Sequence, residues 1–294
     1  MAGMGRLAVM YLVLFSIFIA VGYVLGSLMF GDWILGSLLF LGLAAVFNVV
    51  AYFWSDKIVL MAYRAKIVTE KEAPRLYGIV RRVAELHGMP MPKVAIVPTE
   101  TPNAFATGRS PERAVVAATE GILRTLNDRE LTGVLSHEIA HVKDRDILVV
   151  TVAATVAGAI AFLTRMFFWS TLFRGSRGSR NDGGLMIVLA LVAMVLAPIA
   201  ALMVQLAISR SREYKADNVG AKTLRAPGAL ADALEKLEFA NKRRPIEFGN
   251  PSHASLFIVN PFRGSSAASW FSTHPPIRER VRRLRKMAAE MGAA

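Results

Sequence analysis

The sequence predicts an α-helical membrane protein of about four transmembrane helices that carries an α+β domain assembled from two separated segments. Two observations predict it. Hydrophobic residues make up 54% of the 294 residues and the mean hydropathy is +0.41, above the norm for a soluble domain. The excess sits in four blocks, 7–30, 33–54, 147–164 and 185–208, each about long enough to cross a ~30 Å hydrocarbon core as a helix. The expected organisation is an N-terminal transmembrane hairpin over 1–54, a first domain segment over 55–146, a second transmembrane hairpin over 147–208 and a second domain segment over 209–294.

Arg6 ahead of an apolar run, with small residues at Gly26 and Ser27, also suits a secretory signal. The run is longer than the usual ~7–15-residue apolar core of a signal, and a second block follows directly after Gly31-Asp32, so a tight helical hairpin fits better. In the first domain segment, 74–87 has helical spacing at Leu76, Ile79, Val80, Val83 and Leu86, with Pro74 at its start and Gly88 as its stop. Residues 93–97 and 114–118 are short β-type runs flanking Asn103 to Gly108, with a turn at 108–112. Asn127 followed three positions later by Glu130 is a capping pair, and a helix should run from Asp128 towards the membrane.

The third block is interrupted by Arg165, and Phe167, Phe168, Trp169 and Phe173 then read as an interfacial aromatic belt. Residues 174–184 are a flexible connector by composition, and Pro198 should kink the fourth block. Residues 241–276, rich in Pro, Gly, Ser and Asn, read as a long loop or lid before a basic helix from Ile277.

The formal charge of +13 is unevenly placed. Residues 55–146 carry 14 Lys+Arg against 12 Asp+Glu, whereas 209–294 carry 16 against 8. No aromatic-interleaved basic motif accompanies that tail, so the partner it suggests is the anionic lipid bilayer and not nucleic acid. Cysteine is absent, which removes disulfides, thiol nucleophiles and thiolate ligands while leaving the redox compartment open. Any metal chemistry must use His, Asp or Glu.

Those residues occur together at His137-Glu138-Ile139-Ala140-His141, inside the expected helix. Residues four apart share a helical face, so both imidazoles can reach one cation. Glu138, about 100° round the helix, can approach a water without ligating. Two solvated helix histidines beside an acid would look the same in isolation, and a catalytic zinc needs a third protein ligand. Glu213 is the candidate, with Asp217 one turn later to orient a ligand imidazole. His141 lies six residues before the third block and Glu213 five after the fourth, so a two-span excursion returns the chain to within roughly 10 Å of the same bilayer face. One Zn2+ so held lowers the pKa of a water it binds towards ~7, and Glu138 can take that proton, which is the chemistry of peptide hydrolysis. The domain is then zincin-like. An extended substrate could add as a strand to an exposed edge near 103–107 or 114–118.

These residues, with Asn103-Ala104-Phe105-Ala106, Thr119-Glu120-Gly121, Asp146 and Phe271 to Pro276 followed by Arg280, resemble the HtpX family of membrane-bound zinc proteases, and more distantly the CAAX prenyl proteases. The resemblance spans nearly the whole chain. It implies a multi-pass enzyme of the cell membrane with a cytoplasmic catalytic domain, acting on misfolded or surplus membrane proteins or unfolded polypeptides. It also casts His274 and Arg280 as transition-state or structural partners and Asp146 as a supporting residue. Read alone, His274 is a turn residue before two prolines, and His87 and His253 match no motif. A cytoplasmic domain puts Arg174, Arg177 and Arg180 on the outer side, against the positive-inside bias, though the basic residues of the two domain segments outnumber them. The rival reading is a zinc-binding membrane scaffold without activity, which an intact Glu138 disfavours.

Overall fold

The computed structural model describes residues 2–144, 147–153, 210–243, 258 and 275–292. Helices α1 (Ala2–Phe30) and α2 (Trp33–Ala62) form the N-terminal hairpin. Its turn is set by Gly31 at φ +68° and by Asp32, whose carboxylate caps α2 by accepting from Ile34 N at 2.9 Å and Leu35 N at 3.1 Å. The helices run antiparallel, with Phe18 against Phe40 and Tyr23 against Trp33. A Cβ on Gly36 would lie 2.3 Å from Gly22 O and from the Gly26 Cα, so the close backbone approach depends on small residues. Among the described residues α2 is the one helix long and apolar enough to cross a membrane by composition. Of the third and fourth apolar blocks, only 147–153 lie among the described residues, and these are helical.

The domain opens with β1 (Lys66–Val68), which was not legible in the sequence, and α3 (Pro74–Leu86). Strands β2 (Lys93–Val97), β3 (Ala104–Thr107) and β4 (Val115–Thr119) follow. The sheet order is β1-β2-β4-β3, with β2 and β4 parallel and both outer strands antiparallel to their neighbours. This corrects one expectation: 114–118 cannot receive an added strand, because β4 is paired on both sides. β3 is the edge strand beside α5, and all four of its residues are buried.

Alternation explains why the sheet is buried on both faces. Val94, Ala104, Ala106, Val116 and Ala118 face a core built with α3, and with α5 (Asp128–Lys143), through Leu76, Val80, Val83, Leu131, Leu135 and Ile139. Ala95, Val97, Phe105, Val115 and Ala117 face Val59 and Tyr63, the last turns of α2. Tyr63 and Phe105 meet with their rings tilted by 53° and the centroids 5.7 Å apart. The sheet therefore rests directly on the end of the apolar hairpin.

Thr119 caps α4 (Glu120–Thr125), and the expected Asn127/Glu130 capping box starts α5 with reciprocal bonds of 2.9 and 3.0 Å. The second segment supplies α6 (Arg210–Leu224), α7 (Pro227–Arg243) and the basic α8 (Ile277–Glu290). α6 and α7 both pack on α5, α7 through Leu230, Leu234 and Leu237, and α8 packs on α7. Of the expected 241–276 loop, residues 244–257 and 259–274 lie outside the described residues.

One buried junction ties three of these helices. Ser136 Oγ donates to Gly220 O of α6 at 3.0 Å, so the His87 Nε2 at 2.7 Å is the donor to that oxygen. Lys143 Nζ reaches the His87 carbonyl at 2.9 Å. His87 is thus a packing residue, buried with its Nδ1 lacking a hydrogen-bond partner. Burial first, then the Lys143 charge, pushes its pKa down to about 4. The unfolded imidazole titrates near ~6.5. Between those values the unfolded chain binds a proton that the folded chain refuses, so this contribution to stability is complete above ~6.5 and is lost as pH falls towards 4. The melting temperature should drop across that window, and His87→Gln should make the drop shallower; an unchanged slope would contradict the assignment.

Candidate metal centre

α5 presents His137 and His141 on one face, one turn apart, with ring centroids 4.7 Å apart and edge to face. Their Nε2 atoms lie 3.3 Å apart. α6 brings Glu213 against both: its carboxylate oxygens lie 3.6 Å from His137 Nε2 and 3.4 Å from His141 Nε2. Around a tetrahedral cation with bonds of about 2.0–2.1 Å, ligand atoms sit about 3.3 Å apart. The edge between the two imidazoles matches that length, and each imidazole meets one of the two Glu213 oxygens at a similar distance, with one atom from each of the three residues lying within 4.8 Å of the others. Two imidazoles and a carboxylate are also the donor set that suits a first-row divalent cation with an open fourth position. The three residues are the group among the described residues that can hold a metal ion.

Close approach of the two helices is a condition for this. Gly220, two turns after Glu213, has no side chain where a Cβ would lie 3.0 Å from His137 N. The Ser136 bond to Gly220 O holds the same crossing, and Lys215 Nζ pairs with Asp144 at 2.7 Å farther along it.

The imidazole orientation is set from behind. His137 Nδ1 donates to Asp217 Oδ1 at 2.9 Å, which turns Nε2 towards the triangle. Arg280 of α8, wholly buried, donates from Nε to Asp217 Oδ2 at 2.8 Å and from Nη2 to Oδ1 at 2.7 Å, a bidentate pair. Its Nη1 lies 3.8 Å from a Glu213 oxygen. Burial alone would raise the Asp217 carboxyl; the Arg280 charge and the hydrogen bonds from His137 and Arg280 together outweigh it and hold the group well below the usual carboxylate range. Burial and then Arg280 oppose a proton on His137, but the bonds to Asp217 and Glu213 prevail and raise its pKa.

Glu138 is buried, and its Oε2 accepts from Ala106 N of β3 at 3.2 Å. Burial pushes its pKa up, against the pull of His137 and His141. The general-base candidate and the sheet edge are therefore in contact. Asn103 lies at the start of β3, but its side chain accepts from Ile258 N at 3.1 Å. Ala104 and Phe105 face opposite sides of the sheet. Asp146 and His274 lie outside the described residues. The sequence assigns no role to Ser136, Gly220, Ile258 or the Ala106 amide, none of which carries a chemical signature of its own, although Ser136 directly precedes His137 and Ala106 belongs to the Asn103–Ala106 motif.

The model for peptidase family M48 matches residues 70–288, a span that contains the triangle, Glu138, Asp217 and Arg280. The chain belongs to peptidase family M48. Among its relatives, a protease HtpX homolog of Thermococcus sibiricus is 52% identical over 290 residues, covering 98% of this chain and 97% of that protein. One from Pyrococcus furiosus is 52% identical over 277 residues, covering 94% and 93%. One from Methanocaldococcus jannaschii is 53% identical over 251 residues, covering 85% and 88%. The HtpX resemblance read from the motifs therefore holds over nearly the full length, and the chain is a metallopeptidase of the M48 family. A crystal structure of S. mikatae Ste24p superposes with a TM-score of 0.49 at 18% identity, covering 91% of this chain and 62% of that one, too loose a likeness to decide the fold.

Metal content of the purified M48 protein, measured by mass spectrometry, should be one divalent cation per chain and should fall to background in both His137→Ala and Glu213→Ala. Full retention in either variant would remove that residue from the ligand set.

Proposed function

We propose that the chain is a multi-pass endopeptidase of the cell membrane, dependent on one zinc ion, that cuts misfolded or surplus membrane proteins and unfolded polypeptides on the cytoplasmic side. The observation that carries the reading is the triangle of His137, His141 and Glu213 at 3.3–3.6 Å with Glu138 beside it. Zinc, when bound by those three, supplies Lewis-acid polarisation of the scissile carbonyl and a nucleophile at neutral pH.

The remaining work falls to this chain's own groups. Glu138, with its proton affinity raised by burial, takes a proton from the attacking water at its carboxylate and returns it to the leaving amine. Asp217 keeps the proton of His137 on Nδ1, and the buried Arg280 keeps Asp217 ionised. The register supports β3 as the docking strand. Thr119 N bonds Asn103 O, so by alternation Phe105 also bonds β4, while the amides and carbonyls of Ala104 and Ala106 turn to the opposite edge. An extended substrate pairing with that edge would take over the Ala106 amide that Glu138 accepts from, which brings its backbone to the base.

Membrane substrates are supported by where the strand ends. Thr107 Oγ1 lies 3.2 Å from Thr151 Oγ1, inside the third apolar block, so the docking edge and the apolar segments are in contact. The excess of basic residues in 209–294 supports a cytoplasmic domain.

Glu138→Gln should keep zinc and lower kcat on a membrane-protein or casein-like substrate by about 10²–10⁴-fold. Equal cleavage by both forms would refute the base; absence of cleavage by the zinc-loaded wild type would favour the scaffold.

A further inference from the structure

We infer that Asn103 is a positioning residue for the metal site, acting through the backbone of Ile258 and the Arg280 guanidinium on Asp217 and His137. The inference rests on His137, His141 and Glu213 being zinc ligands. Asn103 belongs to the first segment, at the mouth of β3, and makes no contact with the triangle. A continuous chain of hydrogen bonds nevertheless joins it to His137. Ile258 N donates to Asn103 Oδ1 at 3.1 Å, and the Ile258 carbonyl accepts from Arg280 Nη1 at 3.3 Å. Arg280 grips Asp217 at 2.8 and 2.7 Å, and Asp217 accepts from His137 Nδ1 at 2.9 Å.

Every member is buried. Asn103 and Arg280 are 0% exposed, His137 1%, Ile258 2% and Asp217 4%, so solvent is not at hand to replace a lost link. The beginning of the chain is rigid. Asn103 N donates to Thr119 Oγ1 and Asn103 O accepts from Thr119 N, both at 2.9 Å, which fixes the residue to β4. The side chain of Ile258 is seated in the main core. Its carbonyl is therefore a fixed point against which the guanidinium fork is aimed.

The aim matters because Arg280 has two things to do at once. Nη2 must stay on Asp217 Oδ1 while lying only 3.4–3.5 Å from both ring nitrogens of His137. A rotation of the planar fork about Asp217 would carry its charge over the imidazole, weakening Nε2 as a ligand, and the Nη1 bond to Ile258 O opposes that rotation. The Asn103 amide shows which of its ends is used. Its oxygen is taken by Ile258, while its Nδ2 is buried with no hydrogen-bond partner. An orphaned donor is unfavourable, so the acceptor is the feature for which this residue is suited. The alternative is that Nδ2 binds substrate directly, and the two roles separate by experiment.

The test uses the full-length protein in detergent, loaded with zinc, and measures the rate of zinc loss to a chelator together with kcat and KM. Asn103→Leu keeps the branched shape while deleting acceptor and orphan donor. Asn103→Asp keeps an acceptor oxygen in the same place and replaces the amide nitrogen. Asn103→Leu should lose zinc about 10–100-fold faster than wild type with KM little changed, and Asn103→Asp should restore most of the retention. Wild-type zinc loss in Asn103→Leu, with a raised KM alone, would overturn the relay in favour of a substrate contact. Should the Leu variant fail to melt cooperatively, Asn103→Asp decides alone: retained zinc with unchanged KM supports the relay, and a raised KM overturns it. A wild-type protein that takes up no zinc fails at the ligand set, whereas a zinc-loaded wild type matched by both variants fails only at the relay.

Discussion

Backbone-close crossing of α5 and α6 is the constraint on which the site depends. Two helices from segments separated by more than sixty residues must meet closely enough for one carboxylate to bridge two imidazoles one turn apart. Gly220 permits the approach, the Ser136 bond to its carbonyl fixes the register, and the Ser136 and Lys143 bonds to His87, two turns apart on α5, tie that helix back to the end of α3. The ligand triangle is what that crossing produces. Three buried acids, Glu213, Asp217 and Glu138, face the single buried guanidinium of Arg280, so the set is balanced only when a cation completes it or protons are taken up.

The fold places this crossing across the sheet from the apolar hairpin and next to the β3 edge. Because both faces of the sheet are buried, one by α3 and α5 and the other by the end of α2, the catalytic helix and the apolar hairpin are held on opposite sides of the same four strands. β3 touches the chemistry through Ala106 and the third apolar block through Thr107. A substrate strand paired there would lie against the base at one residue and near the lipid boundary at the next.

What could be read from the sequence was what local periodicity encodes. The His-x-x-x-His face, the Glu213/Asp217 pair one turn apart, the Asn127/Glu130 cap and the start of α8 all follow from a 3.6-residue repeat and its capping rules. What could not be read was tertiary. β1 has three residues and is defined by its partner β2, α7 has no chemical motif, and β4 differs from β3 only in having neighbours on both sides. His87 looked incidental because its partner lies 49 positions away, and Asn103 is joined to Ile258 across 155.

Zinc-edge anomalous scattering from crystals of the full-length protein tests the central claim most directly. The account predicts one peak bonded at about 2.0–2.2 Å to His137 Nε2, His141 Nε2 and a Glu213 oxygen. A peak bonded to the two histidines with Glu213 well beyond reach, in an otherwise native arrangement of α5 and α6, would contradict it.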